Sequence, residues 1–294
     1  MQKGTVKDQF CETPARQSIR LDVLVGGEAA GAPMRSVGDT LSMAEIKPPA
    51  PFYTLGDHIA IDLPGARAVF TTRRGGVSKP PYDSLNLGVL ADPDVTATAS
   101  NRELLARQLG GVALAYGRQV HGSDVRVCDE GTDPGGSLIE ADGVATGTPG
   151  VAPMVLAADC LPVAIAGGGA VAAVHAGWKG LAAGVVAAGV EAVRELASAD
   201  GRVAAAIGPG AGVCCYEVSD ELHDRFASLE LDRRRGQNLD LQAIARARLI
   251  AAGVDQDQIH TLPWCTICAA PELFFSHRRD HGVTGRQAGL AWLT

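Results

Sequence analysis

The stretch VAPMVLAADCLPVAIAGGGAVAAVHAGWKG, residues 151–180, decides the fold of this chain. It contains three short apolar runs, at 151–158, 161–166 and 170–176, each bounded by Gly, Pro or Asp. Short apolar runs with such boundaries are typical of strands that are buried on both faces. The sequence therefore predicts consecutive strands in the interior of a sheet.

A helix and another strand follow this stretch. GLAAGVVAAGVEAVRELAS (180–198) has a helical pattern despite its three glycines, and RVAAAIG (202–208) is typical of a buried strand. Residues 170–208 are therefore expected to form a strand–helix–strand unit with a right-handed crossover. The small residues of the helix indicate close packing on the sheet.

Strands and helices alternate through the rest of the chain, starting at about residue 52. The other predicted strands are 66–72, 115–122, 259–262 and 288–293, and the other predicted helices are 92–110, 218–229 and 239–253. Asp94 is the expected N-cap of the first of these helices, and Gly253 is expected to end the last. Polar turns fill 123–150, which predicts a long loop of the kind that often carries function.

The composition is that of an ordinary globular protein: 294 residues, of which 46% are hydrophobic and 20% are charged. The net charge of −7 and the lack of a Lys/Arg stripe argue against a nucleic-acid partner. No apolar run approaches the roughly 18 residues that a membrane span needs. The N-terminus has no apolar signal core, so we expect a cytoplasmic protein. Residues 1–46 are polar and aperiodic, which predicts a disordered N-terminal extension.

Three metal-competent side chains stand at the ends of predicted strands. They are His121 in RQVHGSD, Cys160 in VLAADCLPV and His175 in VAAVHAGWKG. Two His and one Cys suit a catalytic zinc site that leaves one coordination position open. Their spacing is not a local motif, however, and Cys160 could equally be a small buried hydrophobe beside ordinary core and loop histidines.

A second group of cysteines has a different pattern. Cys265 and Cys268 form a C-x-x-C pair in CTIC, and Cys214 and Cys215 are adjacent. One C-x-x-C pair cannot close a structural zinc site, and adjacent cysteines do not chelate as C-x-x-C does. The pattern therefore argues against a zinc ribbon, and a thioredoxin-like role is also disfavoured because CTIC does not open a helix.

Arginines in Gly-rich segments form the other candidate group. Arg73 and Arg74 lie in TTRRGGVS, and Arg278, Arg279 and Arg286 lie in FFSHRRDHGVTGR. Guanidinium forks and the N–H groups of Gly-rich turns both bind phosphate well. Solvated basic loops are the alternative, although the glycines of RRGGVS indicate a more demanding backbone.

These motifs occur in an order that resembles the YfiH-like family, over residues from about 52 to 294. Its members have been called laccase-domain or multicopper polyphenol oxidase proteins, peptidoglycan editing factors and purine nucleoside phosphorylases. The motifs are RRGGVSKPPYDSLNLG, QVHG, ADGVAT, ADCLPV, HAGWKGLAAGVV, AIGPGAGVCCYEV, NLDLQAIARARL and CTICAAPELFFSHRRDHGVTGRQAGLAWL. The chain departs from the family at Lys179, where Arg is usual, and Cys268 has no place in its pattern.

The resemblance implies a single α+β domain over 52–294, with a mixed β-sheet and helices on both faces, related to Cys–His hydrolases. It places zinc ligands at His121, Cys160 and His175, and the motif arginine at Arg73. It implies a zinc enzyme, with copper able to fill the site in vitro. The implied activities are phosphorolysis of adenosine, inosine, guanosine and methylthioadenosine, and deamination of adenosine.

These activities assign roles to particular residues. Phosphorolysis passes through an oxocarbenium-like state and needs a positioned phosphate, for which Arg73 is the first candidate and Arg278 and Arg279 are others. Deamination needs a carboxylate to carry a proton, for which Asp159 and Asp142 are candidates. The expected ligands are thus a nucleoside and phosphate, with no nucleic acid and no membrane.

Two other functions stay open. Without metal, Cys160 and a histidine would form a nucleophile–base pair, as in a hydrolase or amidase acting in peptidoglycan precursor editing. A copper polyphenol oxidase is disfavoured, because a trinuclear copper cluster needs His-rich motifs and the seven His here include no H-x-H pair.

Overall fold

The computed structural model describes residues 47–133, 136–198, 201–269 and 271–294, so the prediction for residues 1–46 lies outside the described residues. The strands are β1 Tyr53–Leu55, β2 His58–Leu63, β3 Ala66–Phe70, β4 Ala113–Ala115, β5 Val125–Val127, β6 Gly143–Thr146, β7 Val151–Ala157, β8 Leu161–Gly167, β9 Ala170–Ala176, β10 Ala204–Ile207, β11 Arg234–Arg235, β12 Asn238–Leu239, β13 Ile259–Thr261 and β14 Gln287–Leu293. The α-helices are α1 Val95–Gln108, α2 Trp178–Ala183, α3 Val185–Leu196, α4 Asp220–Ala227 and α5 Leu241–Ala251, and Gln256–Gln258 form a 3₁₀ turn.

Most strands belong to two mixed six-stranded sheets. The first has the order β1-β2-β3-β14-β7-β4, and the second has the order β13-β10-β8-β9-β6-β5. The central strands of the second sheet are entirely buried, which is why they are continuous apolar runs in the sequence. The strands predicted at 151–158, 161–166 and 170–176 are confirmed within a residue or so.

The two sheets pack face to face on a core rich in alanine. Ile59, Ile61 and Phe70 of the first sheet meet Ala164 and Ala206 of the second, together with other small residues of both sheets. The small side chains allow a close approach: a Cβ added at Gly289 would lie 2.4 Å from Pro162 Cβ. The sheets are thus locked against each other without room for larger side chains.

Helices cover the two outer faces. Leu105 and Leu109, in and just after α1, pack against Met154 and Leu290 of the first sheet. Helices α2, α3 and α5 cover the outer face of the second sheet, where Val190 of α3 is among the buried residues. The expected fold class is confirmed: a single α+β domain with mixed sheets and helices on both faces. Among the described helices, none is both long and apolar enough to cross a membrane.

Local capping agrees with the sequence in some places and differs in others. Asp94 caps α1, and its side chain accepts a hydrogen bond from the backbone N–H of Ala97 at 3.0 Å. Gly253 follows α5 with a φ of 82°. The single helix predicted at 180–198 is divided into α2 and α3, because Gly184 adopts a left-handed φ of 97° that ends the first and begins the second.

Two predictions for the middle of the chain were wrong. The strand expected at 115–122 is instead the short β4, followed by an irregular segment, and the loop expected at 123–150 contains β5 and β6. Three-residue strands such as β4 and β5 are too short to show the alternation that identifies a strand.

Strand pairing brings several chain segments to one edge of the second sheet. Leu161 at the start of β8 pairs with Ala176 at the end of β9, and Gly143 at the start of β6 pairs with Val174. The ends of β10 and β13 lie at the same edge, since these strands are parallel and β10 is antiparallel to β8. Residues that immediately precede or follow these ends therefore meet there.

Candidate functional site

The three metal-competent residues come together at this edge. Cys160 directly precedes β8, His175 is the penultimate residue of β9, and His121 lies on the irregular segment after β4. One donor atom from each lies within 4.8 Å of the others. The two imidazole rings meet edge to face with centroids 4.9 Å apart. His175 is buried, Cys160 is half-buried and His121 is exposed, so the cluster opens to solvent on one side.

Asp142 holds the residues of this cluster in place through hydrogen bonds. Its carboxylate is fully buried and lies 2.8 Å from His175 Nδ1. The same carboxylate accepts hydrogen bonds from the backbone N–H groups of Val120, His121 and Gly122 at 2.7–3.0 Å. These bonds hold His121 at a φ of 61°, a left-handed conformation that is uncommon for residues other than glycine. Asp142 thus fixes both histidines.

The electrostatics of the cluster favour a thiolate beside an imidazolium. Burial alone would raise the pKa of Cys160, but the charge of His175 and hydrogen bonds from both histidines lower it to about 6. Burial would lower the pKa of His175, but Cys160 and Asp142 raise it to about 9. Burial would raise the pKa of Asp142, and its bonds to His175 and the backbone lower it to about 2.

The residues present fit a zinc ion. A thiolate and two imidazoles are the donors that zinc prefers, and three protein ligands leave one position open. Because Nδ1 of His175 bonds to Asp142, its Nε2 is left as the donor, the usual carboxylate–histidine–metal arrangement. Gly177 leaves room for the cluster, since a Cβ at that position would lie 2.7 Å from Cys160 Sγ and 3.3 Å from His121 Cδ2.

Asp159 lies beside the cluster in a constrained conformation. Its φ is 90°, and its backbone carbonyl accepts a hydrogen bond from Ala211 N–H at 2.7 Å. One carboxylate oxygen accepts a bond from the Thr266 hydroxyl, and the other accepts one from the backbone N–H of Arg278, both at 2.7 Å. The carboxylate therefore joins the segment before β8 to the two loops that face it.

Two of the candidate arginines are already bound within the protein. The Arg73 guanidinium donates to Asp83 and to the carbonyls of Pro81 and Pro271, and stacks on the ring of Phe275 at 4.4 Å. Arg279 forms a forked ion pair with the neighbouring Asp280. It also donates to the carbonyls of Thr266 and Phe274. These bonds tie loops together.

Arg278 and Arg286 have donors left over. Arg278 donates from Nη1 to the carbonyl of Glu217 and lies over the ring of Tyr216 at 4.6 Å. Arg286 donates from Nη1 to the carbonyls of Thr284 and Gly285, and within the described residues its Nε and Nη2 donate no hydrogen bond. Burial lowers the pKa of Arg286, while the negative charges of Asp159 and Cys160 raise it, so its guanidinium lies within electrostatic range of the cluster.

Four cysteines form a second cluster, although their spacing in the sequence argues against a shared metal site. One donor sulfur from each of Cys214, Cys215, Cys265 and Cys268 lies within 4.8 Å of the others. Each pair alone supplies too few ligands for a closed site. The parallel pairing of β10 with β13 brings the two pairs together across about 50 residues, which local spacing does not reveal.

Asp142 and Thr266 are the functional residues whose roles sequence reasoning missed. Asp142 stood only as a proton-shuttle candidate, but its oxygens are occupied by His175 and three backbone donors. The sequence did contain a sign that Asp142 belongs to the site. Asp142 immediately precedes a short apolar strand in ADGVAT, just as Cys160 immediately precedes its own apolar strand. Thr266, between the cysteines of CTIC, gave no signal of its own.

An αββα sandwich with two histidines and a cysteine gathered at one sheet edge defines a class of proteins whose nitrogen and sulfur donors could hold a metal ion at an open site. The family model described as multi-copper polyphenol oxidoreductase laccase matches residues 67–294. This chain belongs to that family.

Named relatives and solved structures agree with this assignment. A purine nucleoside phosphorylase of Streptomyces coelicolor is 41% identical over 78% of this chain and 96% of its own length. A purine nucleoside phosphorylase of Pseudomonas aeruginosa is 37% identical over 77% of this chain and 93% of its own. Among solved structures, the YfiH protein of Bacillus licheniformis superimposes with a TM-score of 0.74 at 32% identity, covering 83% of this chain and all of its own.

Proposed function

We propose that this chain is a zinc-dependent purine nucleoside phosphorylase acting on adenosine, inosine, guanosine and methylthioadenosine, and that it also deaminates adenosine. The catalytic unit is residues 52–294. The observation that carries the proposal is the open cluster of His121, Cys160 and His175 in a chain whose relatives, at 37–41% identity, are named purine nucleoside phosphorylases.

Zinc held by this trio would supply a Lewis acid with one open coordination position. The surrounding residues prepare the site for it. Asp142 holds His175 in the tautomer that presents Nε2 and fixes the backbone of His121. The low pKa of Cys160 provides the thiolate that zinc requires near neutral pH.

Phosphorolysis breaks an N-glycosidic bond through an oxocarbenium-like state, with phosphate attacking the anomeric carbon. The phosphate must therefore be held by cations beside the cluster. We assign this role to Arg286 and Arg278. Arg286 interacts electrostatically with Asp159 and Cys160, the backbone of Arg278 bonds to Asp159, and among the described residues both guanidinium groups keep donors that form no hydrogen bond. Phosphate binding by Arg73 or Arg279 stays a prediction. Each would have to give up an existing hydrogen bond to a carboxylate of the protein in order to bind phosphate.

Asp159 is the proposed catalytic carboxylate. Each of its oxygens accepts one strong hydrogen bond and retains a further acceptor site. From this position it can accept a hydrogen bond from a ribose hydroxyl or carry the proton that deamination moves. The bonds to Thr266 and Arg278 fix its direction, which is what positioned proton transfer requires.

A specific observation also favours a second candidate. Cys160, His175 and Asp142 form a nucleophile–base–carboxylate sequence, with a Cys160 pKa of about 6 and a 2.8 Å bond from His175 to Asp142. That arrangement is typical of Cys–His hydrolases and amidases, including one that would edit peptidoglycan precursors. Copper polyphenol oxidation has less support, because in the described part of the chain only one candidate metal cluster contains histidine.

A product assay separates these functions. Purified protein with added zinc is given adenosine with and without phosphate, and the products are identified by mass spectrometry beside a Cys160→Ala control. We expect adenine and ribose 1-phosphate only with phosphate, inosine without it, and neither product from the control. If neither product exceeds the control level, the nucleoside function is wrong. Cell-wall peptides would then be the substrates to test.

A further inference from the structure

The geometry points to a second metal site: Cys214, Cys215, Cys265 and Cys268 bind a structural zinc ion as four thiolates. This inference is independent of the proposed nucleoside chemistry, because it rests on a different cluster. The two pairs lie on turns that follow β10 and β13, and a backbone bridge between Gly210 and Cys265 continues the pairing of these strands.

The distances suit tetrahedral coordination by sulfur. In a zinc–tetrathiolate site the Zn–S bonds of about 2.3 Å separate the sulfurs by about 3.8 Å. Here the four Sγ atoms all lie within 4.8 Å of one another, and Cys214 Sγ is 3.4 Å from Cys268 Sγ. Cys214, Cys265 and Cys268 are free thiols. A set of four sulfurs, with no oxygen or nitrogen donor in the cluster, selects zinc or iron–sulfur chemistry over other metals.

The surroundings are those of a closed structural site. Cys265 and Cys214 are only 3% and 8% exposed, and both share one hydrophobic cluster with Ala269 and Ile267. The backbone N–H of Gly212 donates to Cys265 Sγ at 3.2 Å, a bond that stabilises a thiolate.

The backbone at Gly212 approaches the sulfurs closely. A Cβ at this position would lie 3.2 Å from Cys214 Sγ and 3.3 Å from Cys265 Sγ. Arg279 donates to the carbonyl of Thr266 at 2.7 Å, inside the C-x-x-C turn, and so helps to fix that turn. The four cysteines would fill all four coordination positions of a zinc ion, so the site would hold one zinc ion without catalytic function.

The site would fix two turns that lie beside the cluster of His121, Cys160 and His175. The turn that carries Cys265 and Cys268 also carries Thr266, which bonds to Asp159. The turn that carries Cys214 and Cys215 continues into Tyr216, on which Arg278 stacks. Loss of the metal should therefore loosen both loops that face the His121 cluster, while leaving that cluster's own donors in place.

Metal analysis of variants tests the inference. Protein purified without chelators should contain about two zinc ions per chain. The Cys265→Ser/Cys268→Ser variant should contain about one. A Cys128→Ser variant, which removes a buried thiol outside both clusters, should keep two. Zinc is counted by inductively coupled plasma mass spectrometry, and thiols are counted by intact mass.

Three results would overturn the inference: zinc content unchanged in the double variant, a cysteine pair oxidised to a disulfide without metal, or iron with visible absorption in place of zinc. A second measurement avoids any variant of the cluster, in case the double variant does not fold. In His121→Ala/His175→Ala protein, X-ray absorption should show the remaining zinc with four sulfur ligands at about 2.3 Å. Mixed nitrogen and sulfur coordination there, or no zinc, would also contradict the site.

Discussion

Asp142 Oδ1 lies 2.8 Å from His175 Nδ1, and the same carboxylate binds three successive backbone N–H groups around His121. One buried side chain thus sets the direction of one histidine and the backbone of the other.

We expect Asp142→Asn to weaken zinc binding by about 10–100-fold, as the loss of such partners of metal ligands typically does. Competition with a chromophoric chelator measures this affinity. Asp129→Asn, at an exposed carboxylate, serves as the control and should bind zinc normally.

A side chain added at Gly177 should disturb the same cluster sterically. A Cβ there would lie 2.7 Å from Cys160 Sγ, so Gly177→Ala should push the thiolate aside and reduce zinc affinity and turnover at least about tenfold. Gly147→Ala is the matched control, because the nearest atoms to its Cβ would lie at 3.8 Å. Equal zinc affinity in the two variants would mean that Cys160 is not a ligand.

The thiol of Cys160 should be reactive when metal is removed. Its pKa of about 6 means that it is largely thiolate at pH 7, whereas a thiol of ordinary pKa is largely protonated there. In chelator-treated protein, alkylation by iodoacetamide should rise with pH through about 6, and added zinc should suppress it. Cys128, whose pKa is raised by burial, should stay unmodified as an internal control. Alkylation that zinc does not slow, with loss of activity in metal-free protein, would favour the hydrolase instead.

Arg286 is expected to set the affinity for phosphate. Arg286→Ala removes a guanidinium that interacts electrostatically with Asp159 and Cys160 and, within the described residues, donates no hydrogen bond from Nε or Nη2. The KM for phosphate should therefore rise at least about tenfold while the KM for nucleoside changes little. Initial rates at varied phosphate concentration measure the effect. Arg107→Ala, at an exposed helix position, should leave both constants unchanged. If phosphate dependence survives Arg286→Ala intact, Arg278 becomes the next candidate.

His58 should make stability depend on pH. Burial lowers its pKa below the usual 6.5, and its ring lies 3.3 Å from Gln108 Oε1 and 3.4 Å from Thr72 N. Because the unfolded chain binds this proton more readily, stability is complete above about pH 6.5. It is lost as the pH falls below that value, by at most about 1.4 kcal/mol per pH unit. Urea unfolding between pH 5 and 8 checks this. His58→Gln should flatten the dependence, whereas His277→Gln, at an exposed position, should not.

The trio of His121, Cys160 and His175 could be found from sequence because Cys160 directly precedes one continuous apolar run and His175 lies at the end of another. The resemblance to a known family then selected the same residues. The cysteine cluster could not be found in this way, because strand pairing between distant segments assembles it. The roles of the arginines also could not be predicted from the sequence. Whether a guanidinium is bound by neighbouring carbonyls, as at Arg73, depends on loop contacts that no local pattern encodes.

The alanine-rich interface between the two sheets limits how this protein can change its specificity. A Cβ at Gly208 would lie 2.4 Å from the ring of Phe70, and one at Gly289 would be equally close to Pro162. The two packed sheets therefore neither move apart nor slide to admit a larger substrate. Relatives with different substrate preferences should differ in the rim segments around Arg73, His121 and Arg278, and directed evolution for new substrates should accumulate its changes there.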